Sequence, residues 1–220
     1  MNTAPPPIGA ALPHESAHLH VTGQAAYTDD LPEPAGTLHA APGLSSVAHG
    51  RIVSLDLSAV RAAPGVRAVI VAADIPGHNN CGAAVPDDPI LADGEVSFHG
   101  QPLFAVAADT REQARHAARL AQVEIEAWPA LLTVEDALAA DSHVLPPVDI
   151  SRGDVAAALA SAPHRLAGTL HLGGQEHFYL EGQVSLAIPQ EDDSLHLVSS
   201  TQHPTEIQHV VAHALGWRMH

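Results

Sequence analysis

The stretch Gly173-Gly-Gln-Glu-His-Phe-Tyr-Leu-Glu-Gly-Gln183 stands apart from the rest of this 220-residue chain. Phe178 and Tyr179 sit side by side in a sequence with only three Phe, two Tyr and two Trp, and Gln175, Glu176, His177, Glu181 and Gln183 surround them. A glycine pair suits a backbone that approaches another object closely or takes positive φ. The Gln175 amide that follows can donate and accept at once, which suits a neutral partner for an oxo or carbonyl oxygen. A bulge at a strand start, with Gln175 bonded to nearby backbone, accounts for the same residues. Both readings stay open on the residues alone.

Composition narrows the classes around that stretch. A 46% hydrophobic content suits a folded chain, and the scarcity of aromatics means a core of Val, Leu, Ile and Ala. Twenty-five Asp and Glu oppose nine Arg and no Lys, for a formal charge of -16. Such a surface repels a phosphate backbone, and no arginine run offsets it, so nucleic acid is excluded as a partner. No apolar run reaches the roughly 18 residues that span a bilayer, so no membrane is expected. The N-terminus carries no basic region followed by an apolar segment, and Cys81 is the only cysteine. A cytoplasmic location without disulfides follows as the expectation.

The pattern along the chain is α+β. A Pro- and Ala-rich arm covers residues 1–17, and β-like alternation begins at Val21. Strands are expected at 38–44, 51–57, 66–72, 94–99, 103–107 and 123–127, with helices at 58–63 and 110–121. The second helix opens on Thr110-Arg-Glu-Gln113, a capping-box pattern. Residues 78–93, rich in Gly, Pro, Asn and Asp, read as a long loop. A linker at 129–148 carries a short helix after Thr133, and another helix spans 154–160. Strands at 166–172, 178–188 and 195–199 follow, then a helix at 205–215 with Pro204 at its start.

Other groupings carry less chemistry. His209 and His213 stand four apart on the last helix, with Glu206 three before His209, so all three share one face. The sequence between the histidines, HVVAH, lacks the Glu of a zinc-peptidase helix. An amphipathic helix with histidines on its polar side is the better account of them. Glu176 and Glu181 would point to opposite faces of a strand, a poor geometry for a catalytic pair. Asp29-Asp30 and Asp87-Asp88 sit in turn contexts, and Cys81 has no activating base nearby in sequence.

The opening motif resembles the one that begins the molybdenum-binding portion of the xanthine dehydrogenase and aldehyde oxidase family. Val21-Thr-Gly-Gln-Ala-Ala-Tyr-Thr-Asp-Asp30, Leu38-His-Ala40, Val47-Ala-His-Gly-Arg-Ile-Val-Ser-Leu-Asp56, Pro64-Gly-Val66, Asp74-Ile-Pro-Gly77 and Ser199-Ser-Thr-Gln202 are similar to it in the same order. The likeness covers residues 13–216 and is strongest to bacterial molybdenum subunits. It implies an α/β hammerhead domain at 18–128 and the incomplete start of a molybdopterin-binding domain at 149–220. It implies hydroxylation of a purine, hypoxanthine or xanthine, with water-derived oxygen at a molybdenum–molybdopterin cofactor. Electrons would leave through Fe–S and FAD on a partner subunit to NAD. Gln175 matches the glutamine that hydrogen-bonds an oxo ligand of molybdenum, in its second shell, with Gly174 supporting the loop. The family's glycine-rich GGGFGGKE segment, substrate-binding arginine and catalytic glutamate have no counterpart here, so no catalytic residue is expected within the chain and no turnover by it alone. An aldehyde or other N-heterocycle hydroxylase, a non-catalytic docking module and a zinc hydrolase on His209 and His213 are the alternatives.

Overall fold

The computed structural model describes residues 8–82 and 85–219. Residues 1–7 of the expected arm, and 83 and 84 of the expected long loop, lie outside the described residues. In chain order the elements are α1 (Ala17–Thr22), β1 (His39–Leu44), β2 (Gly50–Asp56), α2 (Ser58–Arg61), β3 (Val66–Val71), β4 (Glu95–Val96) and β5 (Pro102–Ala108). They continue with α3 (Arg111–Ala118), β6 (Gln122–Ala127), α4 (Val134–Ala139), α5 (Val155–Ser161), β7 (Ser185–Pro189), β8 (Leu195–Ser199) and α6 (Pro204–Leu215). The mixture of strands and helices is the α+β class read from the sequence. Two compact units result, one of Leu38–His177 with Ala214–Gly216 and one of Met1–Thr37, Phe178–His213 and Trp217–His220.

The larger unit is organised by β5. This strand pairs antiparallel with β1 on one side and β3 on the other. Leu103, Phe104, Val106 and Ala108 on this central strand are all at most 1% exposed, while Ala105 and Ala107 between them are half-buried. Helix α3 packs on β1 and β5 through Ala114 and Ala117, both fully buried, whose small side chains allow a close approach. Thr110 caps α3 by accepting from the Gln113 N–H at 3.2 Å. The reciprocal half of the expected capping box does not form. Instead, the Gln113 side chain lies against Gly65, which takes φ +80°, and its buried Oε1 has no hydrogen-bond partner.

Strand β2 is central to a second sheet of order β4-β2-β6. Its outer face is wet: Arg51 meets Glu126 across the strands at 2.6 Å, both about half exposed. Two buried polar side chains fix the crossings between sheets. Ser45 Oγ donates to the Val47 carbonyl at 2.8 Å, and Gln101 Oε1 accepts from the Ser97 N–H at 2.7 Å. Within the long loop Asn79 acts as a strand substitute. Its Nδ2 donates to the Leu91 carbonyl at 2.7 Å and its Oδ1 accepts from the Leu91 N–H at 2.9 Å.

The smaller unit contains the β7-β8 hairpin, closed by the Gln190 N–H donating to the Ser194 carbonyl at 2.9 Å. Asp192 and Asp193 both take positive φ there, as a tight hairpin turn with right-handed twist demands. Helix α6 begins on Pro204, and His203 Nδ1 accepts the Glu206 N–H at 3.1 Å in place of a conventional cap.

Four local expectations change. The β-like start at Val21 is the end of α1, stopped by Gly23 at φ +70°, which ends a helix without a Cβ penalty. The strand expected at 94–99 shrinks to the two residues of β4. The strand expected at 166–172 is not formed, and β7 starts at Ser185 rather than 178. Alternating apolar residues form a strand only with a hydrogen-bonding neighbour, and Leu166, Leu170 and Leu172 are all exposed.

Candidate functional site

Gly173, Gly174 and Gln175 lie outside regular secondary structure and are exposed. Neither glycine takes positive φ, so conformational need alone does not call for them. What they supply is room: nothing lies within 4 Å of the position a side chain would occupy at either one. Gln175 is therefore exposed on backbone that another molecule can approach closely.

Positive φ appears three residues further on, at Phe178, with φ +49°. For a non-glycine residue this left-handed conformation costs on the order of 1–2 kcal/mol, and such strain concentrates at sites where geometry matters. Phe178 is 93% exposed, so burial does little to offset that cost. The motif's second half is better held. Gln183 Nε2 donates to the Tyr179 hydroxyl at 2.8 Å.

Glu181, half-buried, makes the contact that the sequence did not reveal. Its Oε1 accepts from the Thr28 N–H at 2.8 Å, across 153 positions of chain. Thr28 is buried and starts a single turn, Thr28–Asp30, whose Asp30 Oδ2 accepts from the Tyr27 N–H at 2.9 Å. A charge-assisted bond to a main-chain N–H is stronger than a neutral one. It ties the Tyr27-Thr28-Asp29-Asp30 turn to the end of the glycine-led motif, two stretches that resemble the same family. Glu176 and Glu181 thus do not act as a pair; Glu181 is occupied in holding the turn.

The remaining candidates sort by geometry. His209 and His213 lie side by side with ring centroids 3.9 Å apart and planes tilted by 48°. Glu206, expected on the same face, does not join them: among the described residues no group of three His, Cys, Asp or Glu is placed to hold a metal ion. Cys81 is exposed, yet its thiol is pushed above its ordinary pKa, chiefly by desolvation of the sulfur and next by the charge of Asp88. The Sγ donates to the Asp88 carbonyl at 3.3 Å. A thiol held protonated is a poor nucleophile. Among the described residues no helix is long and apolar enough to cross a membrane.

Comparison with known proteins agrees with this layout. Residues 22–129 match the family model described as aldehyde oxidase and xanthine dehydrogenase, a/b hammerhead domain. Residues 138–220 match the molybdopterin cofactor-binding domain. The chain is 42% identical over 216 residues to xanthine dehydrogenase 1 of Arabidopsis thaliana and 40% identical over 213 residues to the xanthine dehydrogenase of Oryza sativa subsp. japonica. These matches take in 96% and 95% of the chain, which spans only 16% of the length of either relative. The aldehyde oxidoreductase from Desulfovibrio gigas superposes with a TM-score of 0.81 at 30% identity, over 94% of this chain and 25% of that one. Quinoline 2-oxidoreductase from Pseudomonas putida 86 superposes with a TM-score of 0.78 at 28% identity, over 94% of this chain and 28% of that one.

A hammerhead domain followed by the start of a molybdopterin-binding domain defines part of a molybdenum-containing oxidoreductase. The chain belongs to the xanthine dehydrogenase and aldehyde oxidase family.

Proposed function

We propose that this chain supplies one wall of a molybdenum–molybdopterin pocket in a purine hydroxylase, with Gln175 as its working residue. The observation that carries the reading is the exposed, glycine-led presentation of Gln175 within a chain that matches the hammerhead and cofactor-binding domains in order. The residues fit such a group. Open space at Gly173 and Gly174 admits a bulky ligand, and an amide N–H is a neutral donor suited to an oxo oxygen. Gln175 then orients the metal's oxo group from its second shell and draws electron density from it, while Gly174 keeps the loop thin. When bound, the cofactor supplies two-electron hydroxylation with oxygen from water.

The domain reading that goes with this is an arm at 1–17, the hammerhead at 18–128, a linker at 129–148 and the start of the cofactor-binding domain at 149–220. Residues 131–180 support a larger assembly, because Leu132, Val144, Ile150, Leu166 and Leu172 are each more than three-quarters exposed. Apolar surface of that extent marks a contact face. The remaining part of the molybdenum-binding region covers it and brings the catalytic base and substrate-binding groups. A partner subunit with Fe–S and FAD takes the electrons to NAD in the cytoplasm.

The test is reconstitution with the rest of the molybdenum-binding region and an Fe–S/FAD subunit, with molybdenum content and xanthine-dependent NAD reduction measured. Gln175→Ala lowers kcat roughly 10- to 100-fold, the usual effect of losing an outer-shell partner. Full turnover by a molybdenum-loaded Gln175→Ala assembly sinks the assignment. A panel of hypoxanthine, xanthine, an aromatic aldehyde and quinoline separates the purine reading from the aldehyde and N-heterocycle reading, which the superpositions above support.

A further inference from the structure

Helix α6 carries a grouping that the cofactor reading leaves unused. His209 and His213 are both exposed, four residues apart on one helical face, with ring planes tilted by 48° at a centroid separation of 3.9 Å. The backbone beneath them is held at both ends. His203 Nδ1 accepts the Glu206 N–H at 3.1 Å at the start, and the Trp217 N–H donates to the Ala212 carbonyl at 2.8 Å past the end. Gln208 Nε2 adds a bond to the Met219 carbonyl at 2.7 Å. The two rings thus project from a helix of three turns that is fixed before any ligand arrives.

We propose that His209 and His213 form a bidentate surface chelate for a divalent first-row transition ion, with water completing its coordination. A metal held at about 2.0–2.1 Å from each of two imidazole nitrogens needs those nitrogens about 3 Å apart. Ring centroids 3.9 Å apart put the two imidazoles within reach of one ion. Imidazole ligands select copper, nickel and zinc over magnesium and calcium. A chain with formal charge -16 attracts the cation. With the first ring bound, the second binds as an intramolecular ligand at high effective concentration. No third protein ligand joins among the described residues, so this is a chelate and not the closed site of a structural zinc or the three-ligand site of a hydrolase.

The experiment uses the whole chain, freed of metal by chelator and titrated calorimetrically with Ni2+ and Cu2+, with Mg2+ as the control ion. Wild type shows one equivalent bound above the background of its other histidines, tighter for Cu2+ than for Ni2+, and no uptake of Mg2+. His209→Gln and His213→Gln each weaken that equivalent at least about 10-fold while far-UV circular dichroism is unchanged. Wild-type and variant isotherms that superimpose overturn the proposal. If the variants do not fold, the wild-type chain still decides. Carbethoxylation by diethyl pyrocarbonate, mapped by mass spectrometry, slows at His209 and His213 together when Zn2+ is added. Equal protection of all histidines, or of none, overturns it.

Discussion

Gly43 gives the sharpest test of how the larger unit is packed. It sits on β1 directly opposite Phe104 on β5 and is buried. A methyl group built at Gly43 clashes with one edge of the Phe104 ring; the farthest of the three ring atoms it meets is 2.6 Å away. Phe104 is 1% exposed and packed in the core, so its ring cannot move aside without disturbing its neighbours. At a strand position without positive φ, Gly→Ala ordinarily stabilises by about 0.4–1 kcal/mol through the unfolded chain. Here overpacking opposes it at about 1–3 kcal/mol, and the immobility of the ring puts the cost at the upper end. Gly43→Ala should therefore destabilise by about 2 kcal/mol, a reversal of sign and not only of size. Phe104→Ala alone should cost about 3–5 kcal/mol and leave a cavity. In that background the added methyl has space, so Gly43→Ala becomes neutral or stabilising. Urea denaturation followed by far-UV circular dichroism measures the four corners of the cycle, with a coupling of about 2 kcal/mol expected. Additive effects, or a Gly43→Ala variant as stable as wild type, refute the packing argument.

Two further outcomes follow from single contacts. Glu181→Ala leaves the buried Thr28 N–H without its acceptor, at about 1–3 kcal/mol, whereas Glu181→Gln keeps an oxygen acceptor. Limited proteolysis should cut residues 24–36 roughly 10-fold faster in Glu181→Ala, with Glu181→Gln between; equal rates would contradict the clamp. Arg67 donates to both carboxylate oxygens of Asp109 at 2.7 and 2.8 Å, and this hydrogen bonding holds the Asp109 carboxyl below its ordinary pKa. A depressed folded pKa means stabilisation that is present above the unfolded carboxylate range and is lost as pH falls through the folded value. Melting temperature should thus drop more steeply below about pH 4 for wild type than for Asp109→Asn, by a small margin because the pair is exposed. Parallel curves would show that the bond contributes nothing.

Much of the local structure was legible before any coordinates. Strands with tight turns at both ends, such as β3 behind Pro64-Gly65, and helices with side-chain caps, such as α3 behind Thr110, stand within a residue or two of their expected starts. Their signals are contained in a few adjacent residues. Elements whose partner is remote were not legible. The apolar alternation at 166–172 has the sequence of a strand and no strand to pair with. Within the candidate site, Gln175 stands exposed on glycine-led backbone outside regular structure, and the positive φ belongs to Phe178 and not to the glycines.

By itself the sequence determined the family, the acidic surface and most elements of the larger unit, because motifs, charge and periodicity are properties of neighbouring residues. Only the tertiary structure decided that β5 is the hub of the first sheet and that Gly43 exists to make room for Phe104. It also decided that Glu181 is committed to Thr28 and that His209 and His213 stand without Glu206. Each of these depends on which distant segments meet. That is set by the summed burial and hydrogen bonding of the whole fold, which no short stretch of sequence contains.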